Sequence, residues 1–183
     1  MPIRNYMSWG GGFDLVAITE GAEVPNIMVH VAEMVHTPAG SAPSGMVLIQ
    51  RDTKAAPELM GFISTDTEVA KYFGPSIFKG TLFEAKPALE ASILIYKRDN
   101  SISTRVIVGD FTIESTIGAL GSLEHHSRHA SEQTPFSQEV LERIGSEVSL
   151  SINGEELVVS LPPMGISGGA PAVSSPAGIY SRS

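Results

Sequence analysis

The division of the chain into short apolar runs bounded by turn residues limits the possible folds more than any other feature. The runs are rich in β-branched residues, and Pro, Gly, Asn or Asp lie at or near their ends, a pattern typical of β-strands. We predict strands at residues 26–36, 46–51, 58–64, 88–97, 102–108, 110–117, 148–152 and 156–161. Between the last two runs, Asn153-Gly154 is a strong β-hairpin signal.

One segment has a helical pattern instead. Thr65 and Glu68 have the spacing of a capping box, and the apolar residues that follow recur at helical intervals. Gly74 is suited to a left-handed C-cap, and the proline after it cannot continue a helix. These signals predict a two-turn helix over residues 66–73.

A second helix is expected near residue 140. Thr134 is a good N-cap, Pro135 suits the first helical position, and Gly145 suits the position after the helix. Between them lies an apolar stripe at helical spacing, formed by Phe136, Val140, Leu141 and Ile144.

Strands therefore dominate, and they do not alternate with helices as in doubly wound folds. We predict a mainly β fold with two short helices, either an antiparallel β-barrel of the lipocalin or calycin type or a β-sandwich. The β-rich domain is expected over residues 26–161. An N-terminal arm (1–25) precedes it, and a tail (162–183) rich in Gly, Pro and Ser, extended or mobile unless it docks, follows it.

Composition excludes several classes of function. The 183 residues include 12 Lys and Arg against 20 Asp and Glu, a net charge of −8, so no positive charge is concentrated for binding nucleic acid. The absence of cysteine excludes disulfide scaffolds, thiolate metal sites and cysteine nucleophiles. No apolar run is long enough for a membrane helix, and no signal sequence is evident, so we expect a cytoplasmic protein without membrane contact.

A histidine cluster is the one local motif that could bind a metal. His125 and His129 would share a face of a helix, with Glu124 and His126 beside them. Polar residues surround the cluster, and Glu does not directly follow the first histidine as it does in zincins. We therefore interpret it as a polar connector, predict no metal or cofactor, and keep a metal-dependent enzyme as the third hypothesis.

Three side chains on predicted strands are the candidate catalytic residues: His30, Glu33 and Glu114. A carboxylate or imidazole enclosed in a small barrel would have a shifted pKa and could act as a general acid or base. The alternatives are a hydrogen-bonded core histidine and glutamates that face water.

Apolar residues near these positions are the candidates for substrate contact. Strand alternation places Met28 and Met34 on the face of His30. Tyr72 and Phe73 belong to an aromatic group around the first helix that either lines a pocket mouth or covers a barrel end. Tyr96, on another strand with two apolar faces, completes the predicted set.

Two hypotheses of function follow from these candidates. The first is a β-barrel that binds a hydrophobic small molecule, either as a binding protein alone or as a cofactor-independent isomerase or cyclase. The second is a non-enzymatic structural module, a homo-oligomer whose terminal arms exchange between subunits. The first is preferred because strands 26–36 and 88–97 are apolar on both faces and several isolated carboxylates lie on strands.

Overall fold

A computed structural model describes residues 5–132, 134–165 and 167–182. The helical segments are α1 (Thr67–Tyr72) and a π-helical turn over Phe73–Ile77; neither is long and apolar enough to cross a membrane. The strands are β1 (Asn5–Thr19), β2 (Ile27–Thr37), β3 (Gly40–Ile49), β4 (Leu59–Ser64), β5 (Ala88–Glu90), β6 (Ser92–Arg98), β7 (Ser101–Val108), β8 (Phe111–Gly118), β9 (Glu124–Arg128), β10 (Ser137–Ile144), β11 (Glu147–Ile152), β12 (Glu155–Glu156), β13 (Val159–Ser160) and β14 (Ala172–Arg182).

The strands form two sheets. The large sheet has nine strands in the order β5-β4-β3-β2-β1-β14-β10-β9, with β13 pairing beside β1, and the small sheet has the order β12-β11-β8-β7-β6. Pairing is antiparallel except between β4 and β5. The mainly β prediction is confirmed. Over the described residues neither sheet closes on itself, so the architecture is a sandwich and not a closed barrel.

An aliphatic core, here called the sandwich core, joins the two sheets. From the large sheet, Ile27, Val29 and Val31 on β2 point into it, because alternate residues of a strand share a face. The small sheet contributes Ile113 and other isoleucines and valines, all almost fully buried. Each such side chain stabilises the fold by roughly 1.5–3 kcal/mol.

A second buried group, here called the aromatic cluster, covers the opposite face of the large sheet. The helical segments pack onto it. Its members are Met7, Trp9, Val16, Met28, Ala32, Val35, Ala42, Met46, Phe62, Val69, Ala70, Phe73, Ile77, Phe78, Phe136, Val140 and Tyr180.

Gly11 explains how β1 contributes to both groups. Trp9 and Phe13 would share a face of a regular strand, yet Trp9 belongs to the aromatic cluster and Phe13 to the sandwich core. Between them Gly11 has φ +65°, a left-handed conformation that only glycine adopts without cost, and it reverses the alternation. A Cβ at Gly178, on β14, would overlap the Trp9 ring, so this glycine makes room for the indole.

The predicted arm and tail are strands of the large sheet. β1 pairs with β2 on one side and β14 on the other, and β14 also pairs with β10. Both strands therefore lie in the middle of the sheet, although residues 1–4, 166 and 183 of the predicted segments fall outside the described residues.

The first predicted helix is confirmed, but Gly74 and Pro75 do not end it, because both lie in the π-helical turn that continues it. The second predicted helix is wrong. The cap of α1 is Asp66, whose carboxylate accepts a 3.0 Å hydrogen bond from the amide of Glu68. Residues 137–144 form β10, paired on both sides by β9 and β14. In a strand, Gln138, Val140 and Glu142 share a buried face, and cross-strand pairing outweighs the local helical preference.

Candidate functional site

Two adjoining cavities lie beside the aromatic cluster. The inner cavity has a volume of about 30 Å³, enough for one water molecule or a small chemical group. The outer cleft has a volume of about 520 Å³, within the range of small-molecule sites. Five residues line both and form what is here called the neck: His30, Met46, Phe78, Ser167 and Tyr180.

A histidine and a carboxylate on neighbouring strands face each other at the inner cavity. β1 and β2 place Asp14 directly opposite His30, and His30 Nδ1 lies 3.3 Å from Asp14 Oδ2. The side chains are 17% and 14% exposed. The contact is not aligned as a hydrogen bond, and Asp14 Oδ1 has no hydrogen-bond partner within the described residues.

The carboxylate changes the proton affinity of His30. Burial disfavours the imidazolium, but the negative charge of Asp14 outweighs it, so the pKa of His30 is raised above its ordinary value. Because Nδ1 faces Asp14, Nε2 is the ring nitrogen left for a ligand. The edge of Trp9 packs near the ring, with centroids 6.4 Å apart.

Tyr180 brings a hydroxyl group to the neck. Its ring packs against Trp9 and Phe136 at centroid distances of 4.7 and 4.5 Å, and its hydroxyl lies 3.0 Å from Ser167 Oγ. Burial, aided by the charge of Asp14, raises the pKa of Tyr180 well above the physiological range. The phenol therefore stays protonated and can donate a hydrogen bond.

A second ion pair lies at the inner cavity. Glu142, on β10, lines the cavity, and Arg128, on β9, binds it through two hydrogen bonds of 3.0 and 2.8 Å. The hydrogen bonding to Glu142 outweighs burial and raises the pKa of Arg128. Arg128 lies behind Glu142 and does not line either cavity. Its positive charge is balanced by the carboxylate of Glu142.

Several of the predicted site residues lie in or near this region. His30 and Phe73 line the inner cavity. Tyr72 packs against the aromatic cluster, and its hydroxyl donates to Asn5 Oδ1 at 3.2 Å. Met28 is buried in the cluster and borders a separate shallow cleft.

The other predicted site residues lie on the surface. Glu33 is paired with Lys97 at 2.5 Å, and Glu114 lies 3.7 Å from Arg105 on the outer side of the small sheet. Tyr96 is 57% exposed on that side. Met34 is 37% exposed because the register of β2 and β3 shifts between Ala32 and Val35, a bulge that ends the simple alternation.

Sequence reasoning missed Asp14, Glu142 and Tyr180. Asp14 is a lone charge within an apolar run, and that position alone could have marked it, since charged groups are rarely buried without a partner. Glu142 lies in a segment predicted as a helix and Tyr180 in a tail predicted to be extended or mobile unless it docks, so no local signal places either at a cavity.

The histidine cluster lies at the edge of the large sheet. His125 Nε2 is 2.9 Å from Glu139, and His126 Nε2 is 3.7 Å from Glu142. His129 follows the end of β9. Over the ranges that the structure describes, no three His, Asp or Glu residues are placed to hold a metal ion.

Comparison with known proteins gives one weak likeness. No protein-family model and no curated protein matches the sequence. Among solved structures, the chain is similar to an acetoacetate decarboxylase from Legionella pneumophila subsp. pneumophila str. Philadelphia 1, with 11% identity and a TM-score of 0.39. The likeness covers 97% of this chain and 84% of that one. At this level of similarity the comparison assigns no activity.

Proposed function

We propose that the protein binds a hydrophobic small molecule in the outer cleft and isomerises it without a cofactor, with His30 as general acid and base. The position of His30 supports this proposal most directly. The ring lies at the neck, its pKa is raised by Asp14, and Nε2 faces away from that carboxylate. A carboxylate beside the ring stabilises the imidazolium that forms when His30 takes up a proton.

The proposed step moves one proton. Neutral His30 takes a proton at Nε2 from the carbon next to a substrate carbonyl, and the electron pair of the broken C–H bond moves toward the carbonyl oxygen. Tyr180 donates a hydrogen bond to that oxygen, where negative charge develops. In an unsaturated substrate, His30 returns the proton to the far carbon of the double bond, so the product has the same composition as the substrate.

The binding part of the proposal rests on the lining of the cleft. Phe78, Phe83 and Phe136 offer aromatic surface, and Leu82 at the rim is largely exposed. An apolar body fits this surface, while the reacting group reaches the neck. Positioning of this kind contributes a large part of the rate when a reaction needs no cofactor.

Deuterium exchange tests the chemistry. We expect the protein in D₂O to incorporate deuterium into hydrophobic unsaturated ketones and to shift their double bond, measured by mass spectrometry and ultraviolet absorption. His30→Gln should lower the rate by about 100-fold or more. His36→Gln is the matched control, because His36 is exposed on the same strand and bonds to Ser41. Exchange that is absent throughout the panel, or unchanged in His30→Gln, would overturn the proposal.

We do not extend the proposal to terminal arms that exchange between subunits. β1 and β14 pair with each other and with β2 and β10 of the same chain. Exchange would require these central pairings to open first.

A further inference from the structure

We infer that the site selects an uncharged carbonyl compound and excludes carboxylates, an inference that rests on the proposed function. Its basis is the balance of charge around the two cavities. Among the described residues that line them, His30 alone can carry positive charge, whereas Asp14, Glu142 and Glu132 are carboxylates. A ligand carboxylate would therefore enter a negatively charged, largely apolar site.

The guanidinium of Arg128, beside the inner cavity, does not compensate for this charge. Arg128 is held by both oxygens of Glu142 and also contacts Gln138 Oε1 at 3.3 Å. Glu142 separates it from the inner cavity, which it does not line. A carboxylate ligand in the inner cavity would have to displace Glu142 before it reached the guanidinium of Arg128.

The neck instead offers donors suited to a neutral oxygen. Ser167 and Tyr180 line it with hydroxyl groups, and the phenol stays protonated at physiological pH. A carbonyl oxygen accepts hydrogen bonds without bringing a charge that needs a counterion. The aromatic wall of the outer cleft then contacts the apolar remainder of the molecule.

A pair of matched probes tests the inference. 4-Phenylbutan-2-one and 3-phenylpropanoate have the same apolar body and end in a methyl ketone and a carboxylate. By isothermal titration calorimetry at neutral pH, we expect the ketone to bind at least 100-fold more tightly. A carboxylate that binds as tightly as the ketone would overturn this inference and leave the proposed function standing. If neither probe binds, both the inference and the proposed binding function fail.

Two variants test the cause of the selectivity. Glu142→Gln removes the charge that occupies Arg128, so the affinity ratio of ketone to carboxylate should fall at least tenfold. Because both affinities are measured on the same protein sample, partial unfolding of the variant affects them equally and leaves the ratio of ketone to carboxylate affinity unchanged. Glu132→Gln, at the exposed outer cleft, should lower the ratio severalfold without affecting the core. Glu139→Gln is the control, because Glu139 is on the outward face of β10. An unchanged ratio in both Glu142→Gln and Glu132→Gln would contradict the inference.

Discussion

The two faces of the large sheet are built from the same strands but from different kinds of residue. The sandwich core is composed of aliphatic side chains and a single phenylalanine, without a titratable group among its buried members in the part of the chain described. The aromatic cluster contains methionines, a tryptophan and a buried tyrosine, and it packs around two ion pairs. The outer cleft is lined without any sandwich-core residue, whereas the inner cavity also reaches Phe13 and Val31 of that core.

This difference means that one face of the large sheet mainly stabilises the fold, while the other face carries the proposed site. Branched aliphatic side chains have few rotamers and interdigitate tightly, which leaves no room for a ligand. Aromatic rings and methionines pack less regularly and tolerate a cavity beside them. The sandwich core holds β1 and β2 in register, and that register places Asp14 opposite His30 on the other face.

The largest expected effect is a loss of stability from the sandwich core. Ile113→Ala should lower the free energy of unfolding by about 2–5 kcal/mol, because a buried methyl-rich side chain leaves a cavity. Urea denaturation measures it, and the ratio of ketone to carboxylate affinity should stay unchanged in the folded protein. A changed ratio would show that the two faces are energetically coupled.

An intermediate effect is expected from Asp14→Asn, and it depends on pH. Because the folded pKa of His30 is raised above 6.5, the pair stabilises the fold fully below pH 6.5, and that contribution is lost as pH rises through the folded pKa. At pH 6 the free energy of unfolding of the wild type should exceed that of Asp14→Asn by on the order of 1 kcal/mol. At pH 9 the difference between the two proteins should be smaller. Denaturation at both values measures this.

The same variant should change the titration of the imidazole. Without the carboxylate, burial alone acts on His30, so its pKa should fall below the ordinary value. Nuclear magnetic resonance of the ring protons follows this directly. A pKa that does not fall would mean that Asp14 is not the partner that tunes the acid–base centre.

The smallest effect is expected at the surface. Glu33→Gln should change the free energy of unfolding by less than about 1 kcal/mol, because exposed ion pairs contribute little. Its deuterium-exchange rate should match that of the wild type, since Glu33 bonds to Lys97 away from the cavities. A large loss of exchange would instead support the catalytic role that the sequence predicts for Glu33.

What the sequence could predict was mainly local. Turn residues and alternating apolar positions predicted most of the strands, and the helical spacing of apolar residues predicted α1. The predicted cap at Thr65 and the predicted stop at Gly74-Pro75 were wrong, because Asp66 is the cap and the π-helical turn runs through both residues. The run from Ser137 to Ile144 was mistaken for a helix because its apolar spacing fits either structure. The pairing of this run with β9 and β14 is what makes it a strand.

The site depends on relations that no short pattern contains. Asp14 meets His30 through the register of two strands, and Tyr180 reaches the same neck through the pairing of β14 with β1 and β10. Met34 lies on a correctly predicted strand, yet the predicted face is wrong because the bulge in β2 turns its side chain outward. Predicting the site would have required predicting the order and register of the sheet.

The central place of β14 also has a consequence for biosynthesis. It follows every other strand in the chain, yet it fills the gap between β1 and β10. A nascent polypeptide on the ribosome therefore carries two unpaired sheet edges and an unfinished binding neck until β14 emerges. Such edges attract other chains, so the interval before β14 pairs with β1 and β10 is the one in which the protein most needs protection by chaperones.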